Sequence, residues 1–179
     1  MVYQALYNNI IDNIKEAHMK LGFTDSEVSL NYQIRSLGHL VDEMPATEAL
    51  EVLVREAQPT LGQLTYRIRD NVVRITVPRE GVRYVRDHVP ERPLLRELIS
   101  LVQTPTVTLE EILTMFRRHS DNVACEPTEE GGMDYVIWFP DGDPDDYRYC
   151  LCLDGLGATY HRLSKADFED IYKKDEETR

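Results

Sequence analysis

Residues 64–77 constrain the fold of this chain more than any other segment. Two runs that alternate apolar and polar residues, Leu64 to Arg69 and Val72 to Val77, flank Asp70 and Asn71. An Asp-Asn pair between such runs suits the two-residue turn of a β-hairpin. In that register Arg69 faces Val72, Ile68 faces Val73, Arg67 faces Arg74 and Tyr66 faces Ile75. Leu64, Tyr66, Ile68, Val73, Ile75 and Val77 then share one face, and Thr65, Arg67, Arg69, Arg74 and Thr76 share the other. A slip of one residue would send the apolar set to the solvent side, so the pattern itself selects the register.

Around this hairpin the periodicity changes. Leu6, Ile10, Ile14, Ala17 and Leu21 recur at three- and four-residue steps, which predicts a helix over 2–21 closed by Gly22. Val28, Leu30 and Tyr32 predict a short strand, and residues 34–42 and 47–57 predict two helices, the second with Thr47 as N-cap. Pro59 and Gly62 are expected to close that second helix, and Pro78 to end the hairpin before a helix over 80–88. Pro90 and Pro93 bracket the best boundary in the chain. Two parts are therefore expected, residues 1–90 and 91–179.

The second part opens with a helix over 94–102. A second helix follows Thr108, whose capping box is completed by Glu111. Four strands, 122–126, 134–139, 147–153 and 158–163, read as an antiparallel meander, and Ser164 with Asp167 starts a last helix over 165–173. The fold class expected is α+β, a winged-helix-like first half followed by helices, a four-stranded meander and a carboxy-terminal helix.

The order helix, strand, helix, helix, hairpin, helix over roughly residues 25–88 resembles that of bacterial winged-helix regulators, and the hairpin with Gly81-Val82-Arg83-Tyr84-Val85 resembles their wing and following helix. Over nearly its full length the chain also resembles an uncharacterised family of small bacterial proteins, a domain-of-unknown-function family. The residues that carry this are Gly81-Val82-Arg83-Tyr84-Val85, Thr108-Leu109-Glu110-Glu111-Ile112-Leu113, Tyr147-Arg148-Tyr149-Cys150 and Tyr160-His161-Arg162. That resemblance implies no activity and no site.

Charge is the other informative property. The net value is −12, yet residues 63–99 carry net +3 between segments of −5 and −10. A chain this acidic repels nucleic acid and anionic membrane on average, so binding to either needs a local basic patch. The hairpin offers one. Arg67 and Arg74 are expected to face each other, where like charges repel, and Arg69, Arg79, Arg83 and Arg86 extend the region. Arg67, Arg69 and Arg74 are the candidate anion- or partner-binding residues. The alternative is internal pairing with the acids of residues 100–179, the usual fate of surface charge. The helix that would enter a DNA groove carries Glu48, Glu51 and Glu56 against Arg55, which argues against base reading and for protein contact.

Other motifs fail on their chemistry. Asp141 to Asp146 resembles a calcium loop, but the sixth and twelfth positions, where an EF-hand needs Gly and Glu, hold Asp146 and Cys152. Cys150 and Cys152 alternate within a strand and lack the knuckle geometry of a zinc site. The five histidines, at 18, 39, 88, 119 and 161, have no metal-ligand spacing, and no phosphate loop, dinucleotide fingerprint or nucleophile elbow is present. No metal and no cofactor are expected. No basic start precedes Lys15, no apolar run is long enough to span a bilayer, and three cysteines fit a reducing compartment, so a cytosolic location without membrane contact is expected. The function expected first is a non-catalytic protein-interaction module of the bacterial cytosol. The alternatives are a nucleic-acid-associated regulator acting through the hairpin 64–77, and an enzyme with a site on the carboxy-terminal sheet, where His161 is the one conceivable acid or base.

Overall fold

In the computed structural model, which describes residues 3–42, 44–128 and 130–172, the amino-terminal stripe folds as helix α1 (Gln4–Leu21), with Leu6, Ile10 and Ile14 buried. Gly22 ends it in the left-handed region, at φ 83°, and its N–H donates to the His18 carbonyl at 2.9 Å. Strand β1 (Val28–Gln33) leads directly into helix α2 (Ile34–Leu40).

Helix α3 (Ala46–Leu61) is longer than its pattern suggested at both ends. Pro45, not Thr47, occupies the N-cap, and its carbonyl already accepts the Ala49 N–H at 3.0 Å. Pro59 does not stop the helix. It lies in the last turn, where its missing N–H forfeits a single bond, and the turn beyond it is held from outside. The Tyr7 hydroxyl on α1 meets Thr60 Oγ1 at 2.8 Å, Leu61 is fully buried, and Gly62 closes the helix at φ 71°.

Strands β2 (Thr65–Arg69) and β3 (Val72–Val77) form the hairpin in the register read from the sequence, with Arg67 opposite Arg74. Asp70 takes a positive φ of 53°, as the first turn residue of a two-residue hairpin must. Strand β1 pairs antiparallel with β3, giving the sheet order β1-β3-β2. Val73, Ile75 and Val77 point into a core built with Leu6, Ile10, Leu37, Leu50 and Leu53. Ile68, on the same face but at the edge, stays 41% exposed. Helix α4 (Arg79–His88) packs against α3 and α1 through Val82 and Val85.

The protonation of half-buried His18 is coupled to folding in this region. Both ring nitrogens of His18 are buried without a hydrogen-bond partner, and the Phe23 ring meets the imidazole edge-on at 5.2 Å. Burial lowers its pKa first, and the nearby Lys15 and Arg86 lower it further. The folded state therefore holds a neutral imidazole while the unfolded chain binds a proton below about pH 6.5. Stability from this residue is present above that value and is lost as pH falls. Urea unfolding at successive pH values should show the decline, and His18→Leu should flatten it. An unchanged slope in the variant would assign the acid sensitivity to other groups.

The remaining residues form a second body, the division falling between Met1–Glu91 and Arg92–Arg179. Helix α5 (Pro93–Val102) begins with proline at N1, and helix α6 (Leu109–Arg117) has the capping box. The Thr108 N–H donates to Glu111 Oε2 at 2.8 Å, and Thr108 Oγ1 accepts the Glu111 N–H at 3.3 Å. Strands β4 (Ala124–Pro127), β5 (Tyr135–Trp138), β6 (Tyr147–Leu153) and β7 (Ala158–Ser164) form an antiparallel meander in that order. Helix α7 (Lys165–Tyr172) follows, with Ser164 Oγ accepting the Asp167 N–H at 3.0 Å. Both faces of central β6 are covered, since Tyr149, Cys150 and Leu151 in succession are fully buried. The described residues thus make a mixed α+β protein of two antiparallel sheets and seven α-helices.

Candidate functional site

The outer face of the β1-β3-β2 sheet is built by alternation. With Val73, Ile75 and Val77 turned inward, the residues between them turn outward, and the pairing aligns them in rows. Ser29, Thr76 and Thr65 form one row, Asn31, Arg74 and Arg67 the next, and Gln33, Val72 and Arg69 the third. The first row is tied by the Ser29 and Thr76 hydroxyls at 2.9 Å. In the second, Arg74 Nε donates to Asn31 Oδ1 at 3.0 Å, which orients that guanidinium without neutralising it.

Two depressions lie on this face. The first, of about 450 Å³, is bounded by Asn31, Arg67, Arg69, Asp70 and Arg74. The second, of about 340 Å³, shares Arg67 and Arg74 and extends to Glu27, Ser29, Thr65 and Thr76. Asp70 and Glu27 border the arginines, yet among the described residues Arg67, Arg69 and Arg74 form no ion pair.

The arginines of α4 differ sharply. Arg79 and Arg83, one turn apart, both grip Asp25, with Arg83 Nε at 2.6 Å and Nη2 at 2.7 Å. Their hydrogen bonds, Arg79 first, hold the Asp25 carboxyl well below the usual carboxylate range. Arg86 donates to Asp87 at 2.5 Å and lies 4.3 Å from the centre of the Phe23 ring. Internal pairing therefore accounts for Arg79, Arg83 and Arg86, through acids of their own unit, and leaves the three hairpin arginines available.

The chemistry of this face is that of hydrogen-bond donors carrying fixed positive charge. Guanidinium groups donate only and stay charged at every physiological pH, so they bind carboxylate or phosphate but cannot exchange protons with a substrate. The sequence identified Arg67, Arg69 and Arg74 but missed Ser29, Asn31 and Gln33. Their alternation in β1 was visible; that β1 pairs with β3 was not.

The carboxy-terminal sheet uses its polar groups to hold itself together. Tyr149 is fully buried and donates to Asp145 Oδ2 at 2.7 Å, while Asp145 Oδ1 accepts the Tyr147 N–H at 3.2 Å and Arg92 approaches at 3.8 Å. Burial, reinforced by the Asp145 charge, pushes the Tyr149 hydroxyl well above its ordinary pKa, so it remains a donor. Asp141 accepts from Asn122 and from the Asp143 N–H, each at 3.2 Å, as a turn carboxylate does. All three cysteines are free thiols, and burial pushes Cys125 and Cys152 up, away from the nucleophilic thiolate. His161 is exposed and faces buried Cys150 across the ladder. Among the described residues no three His, Cys, Asp or Glu side chains are placed to hold a metal ion, and no helix is long and apolar enough to cross a membrane.

The family model described as "Domain of unknown function, E. rectale Gene description (DUF3877)" matches residues 3–172. The chain belongs to this family. No curated protein and no solved structure matches it. In this DUF3877 chain the family region includes the whole arginine face as well as the meander, from β1 through α7.

Proposed function

We propose that the chain is a non-catalytic protein-interaction module whose ligand is an acidic segment of a partner protein, bound on the outer face of the β1-β3-β2 sheet. One observation carries this reading. In a chain of net charge −12, three exposed arginines stand together without an ion pair among the described residues, two of them directly opposed across a ladder. Like charges placed so cost stability unless an outside anion lies between them. An arginine pair of this kind takes carboxylates in bidentate fashion.

Nucleic acid offers anions too, and the element order of the part before Arg92 resembles that of a winged helix. The exposed side chains of α3 favour protein over DNA. They include Glu48 and Glu51 against Arg55, and a phosphate backbone beside them would be repelled. A short acidic segment needs only the arginine rows. Three free thiols and no membrane-crossing helix among the described residues support a cytosolic setting.

Fluorescence anisotropy with a labelled glutamate-rich peptide and a labelled random DNA duplex, at low and near-physiological salt, tests the reading. The peptide is expected to bind and the duplex to bind far more weakly. The double variant Arg67→Glu, Arg74→Glu should weaken the peptide about a hundredfold, the scale for replacing attraction by repulsion at two charged contacts. Tight, steeply salt-dependent duplex binding lost in the same variant would replace this reading with the nucleic-acid one.

A further inference from the structure

We infer that the acidic partner binds by strand addition along the free edge of β2, and that its sequence alternates carboxylates with apolar residues. The inference rests on the reading of the arginine face as an acidic-partner site and adds the mode of binding and the pattern recognised.

Among the described residues strand β2 pairs with β3 alone, which leaves the other side of its backbone without a strand partner there. Which groups it offers follows from the turn. In a two-residue hairpin the residues flanking the turn exchange both ladder bonds, and bonded and non-bonded pairs then alternate. Arg69 with Val72, Arg67 with Arg74 and Thr65 with Thr76 are therefore the bonded pairs. The N–H and C=O of Tyr66 and Ile68 point the other way, toward the open edge.

The two faces of that edge differ. Arg67 and Arg69 project on the outer face, exposed and without acidic partners among the described residues. Tyr66 is half-buried on the inner face, and Ile68 there is 41% exposed although Val73, Ile75 and Val77 on the same face of β3 are buried. An added strand would set alternate side chains against these two surfaces. Carboxylates on one side would meet Arg67 and Arg69, and an apolar residue on the other would cover Ile68.

A second copy of β2 does not fit. Edge-to-edge pairing would bring Arg67 and Arg69 of one chain against the same arginines of the other, the arrangement by which charged edges prevent self-association. The charge that excludes a copy selects an acidic strand.

The probe is a synthetic peptide alternating glutamate with valine and threonine, compared with a scrambled peptide of equal composition and with one N-methylated at every second backbone amide. The alternating peptide is expected to bind about tenfold more tightly than either control, each lost ladder bond and misplaced side chain weakening it several-fold. Amide hydrogen exchange on the bound protein should slow at Tyr66 and Ile68 and stay unchanged at Arg67, whose N–H is already used. Equal binding of all three peptides, abolished by Arg67→Glu with Arg74→Glu and without new protection at Tyr66 and Ile68, would overturn strand addition and leave the acidic-partner reading standing. Absence of binding by every peptide would overturn both.

Discussion

Gly81→Ala should destabilise the protein by about 3 kcal/mol, the upper part of the range for overpacking a close contact. A Cβ at Gly81 would lie 2.2 Å from the Leu61 carbonyl oxygen and 2.8 Å from its carbon, with Val77 Cγ1 also at 2.8 Å. Two of those three atoms are backbone, at the closing turn of α3, and cannot rotate away. Alanine would gain about 1 kcal/mol of helix propensity at an unconstrained helical site, which is too little to offset the clash. The midpoint of urea unfolding followed by circular dichroism measures the effect. Gly157→Ala is the control, because a Cβ there meets nothing closer than 3.9 Å and φ is not in the left-handed region. If Gly81→Ala were as mild as Gly157→Ala, the close approach of α4 to the end of α3 would be wrong.

That contact also marks where the sequence stops speaking. Gly81 sits within the motif by which the chain resembles its family, and nothing local explains a glycine inside a helix. Its reason lies in Leu61, 20 positions earlier, and appears only once the two helices are packed. The hairpin is the opposite case. Its register, its turn and the opposition of Arg67 and Arg74 follow from period-two alternation around Asp70 and Asn71, and the structure has each of them. The capping box at Thr108 and Glu111 was equally legible, because both partners lie within one turn. Helix α3 was read too short because Pro59 is a strong local signal, while the contact that outweighs it, between Thr60 and Tyr7, spans 53 positions.

The candidate site divides along the same line. Arg67, Arg69 and Arg74 were visible as the polar side of a hairpin. Their availability was not, because the charges that could neutralise them were unknown. Asp25 shows why. It is 54 positions from Arg79 and 58 from Arg83, and only the fold shows that it serves both. Asp25 and Asp87 are engaged by α4, and Asp70 and Glu27 border the hairpin arginines without forming an ion pair with them, so the basic region separates into a helix whose arginines are paired and a sheet whose arginines are not.

Phe116→Ala should cost about 3 to 5 kcal/mol, the scale for removing a fully buried aromatic ring from a packed centre. Phe116 lies on α6 with its ring centre 5.6 Å from that of Phe139 and 5.1 Å from that of Tyr149, the latter edge-on, so its loss removes both apolar burial and two aromatic contacts. Trp138, the sole tryptophan, belongs to the same sheet, and its emission follows unfolding of that unit directly. Tyr149→Phe should be milder, about 1 to 3 kcal/mol, since it keeps the ring and leaves only Asp145 short of one donor. Phe116→Ala combined with Tyr149→Ala should fall short of the sum of the two single effects, because each ring forms a wall of the other's site. Strict additivity would mean that α6 does not pack on the meander through this aromatic cluster.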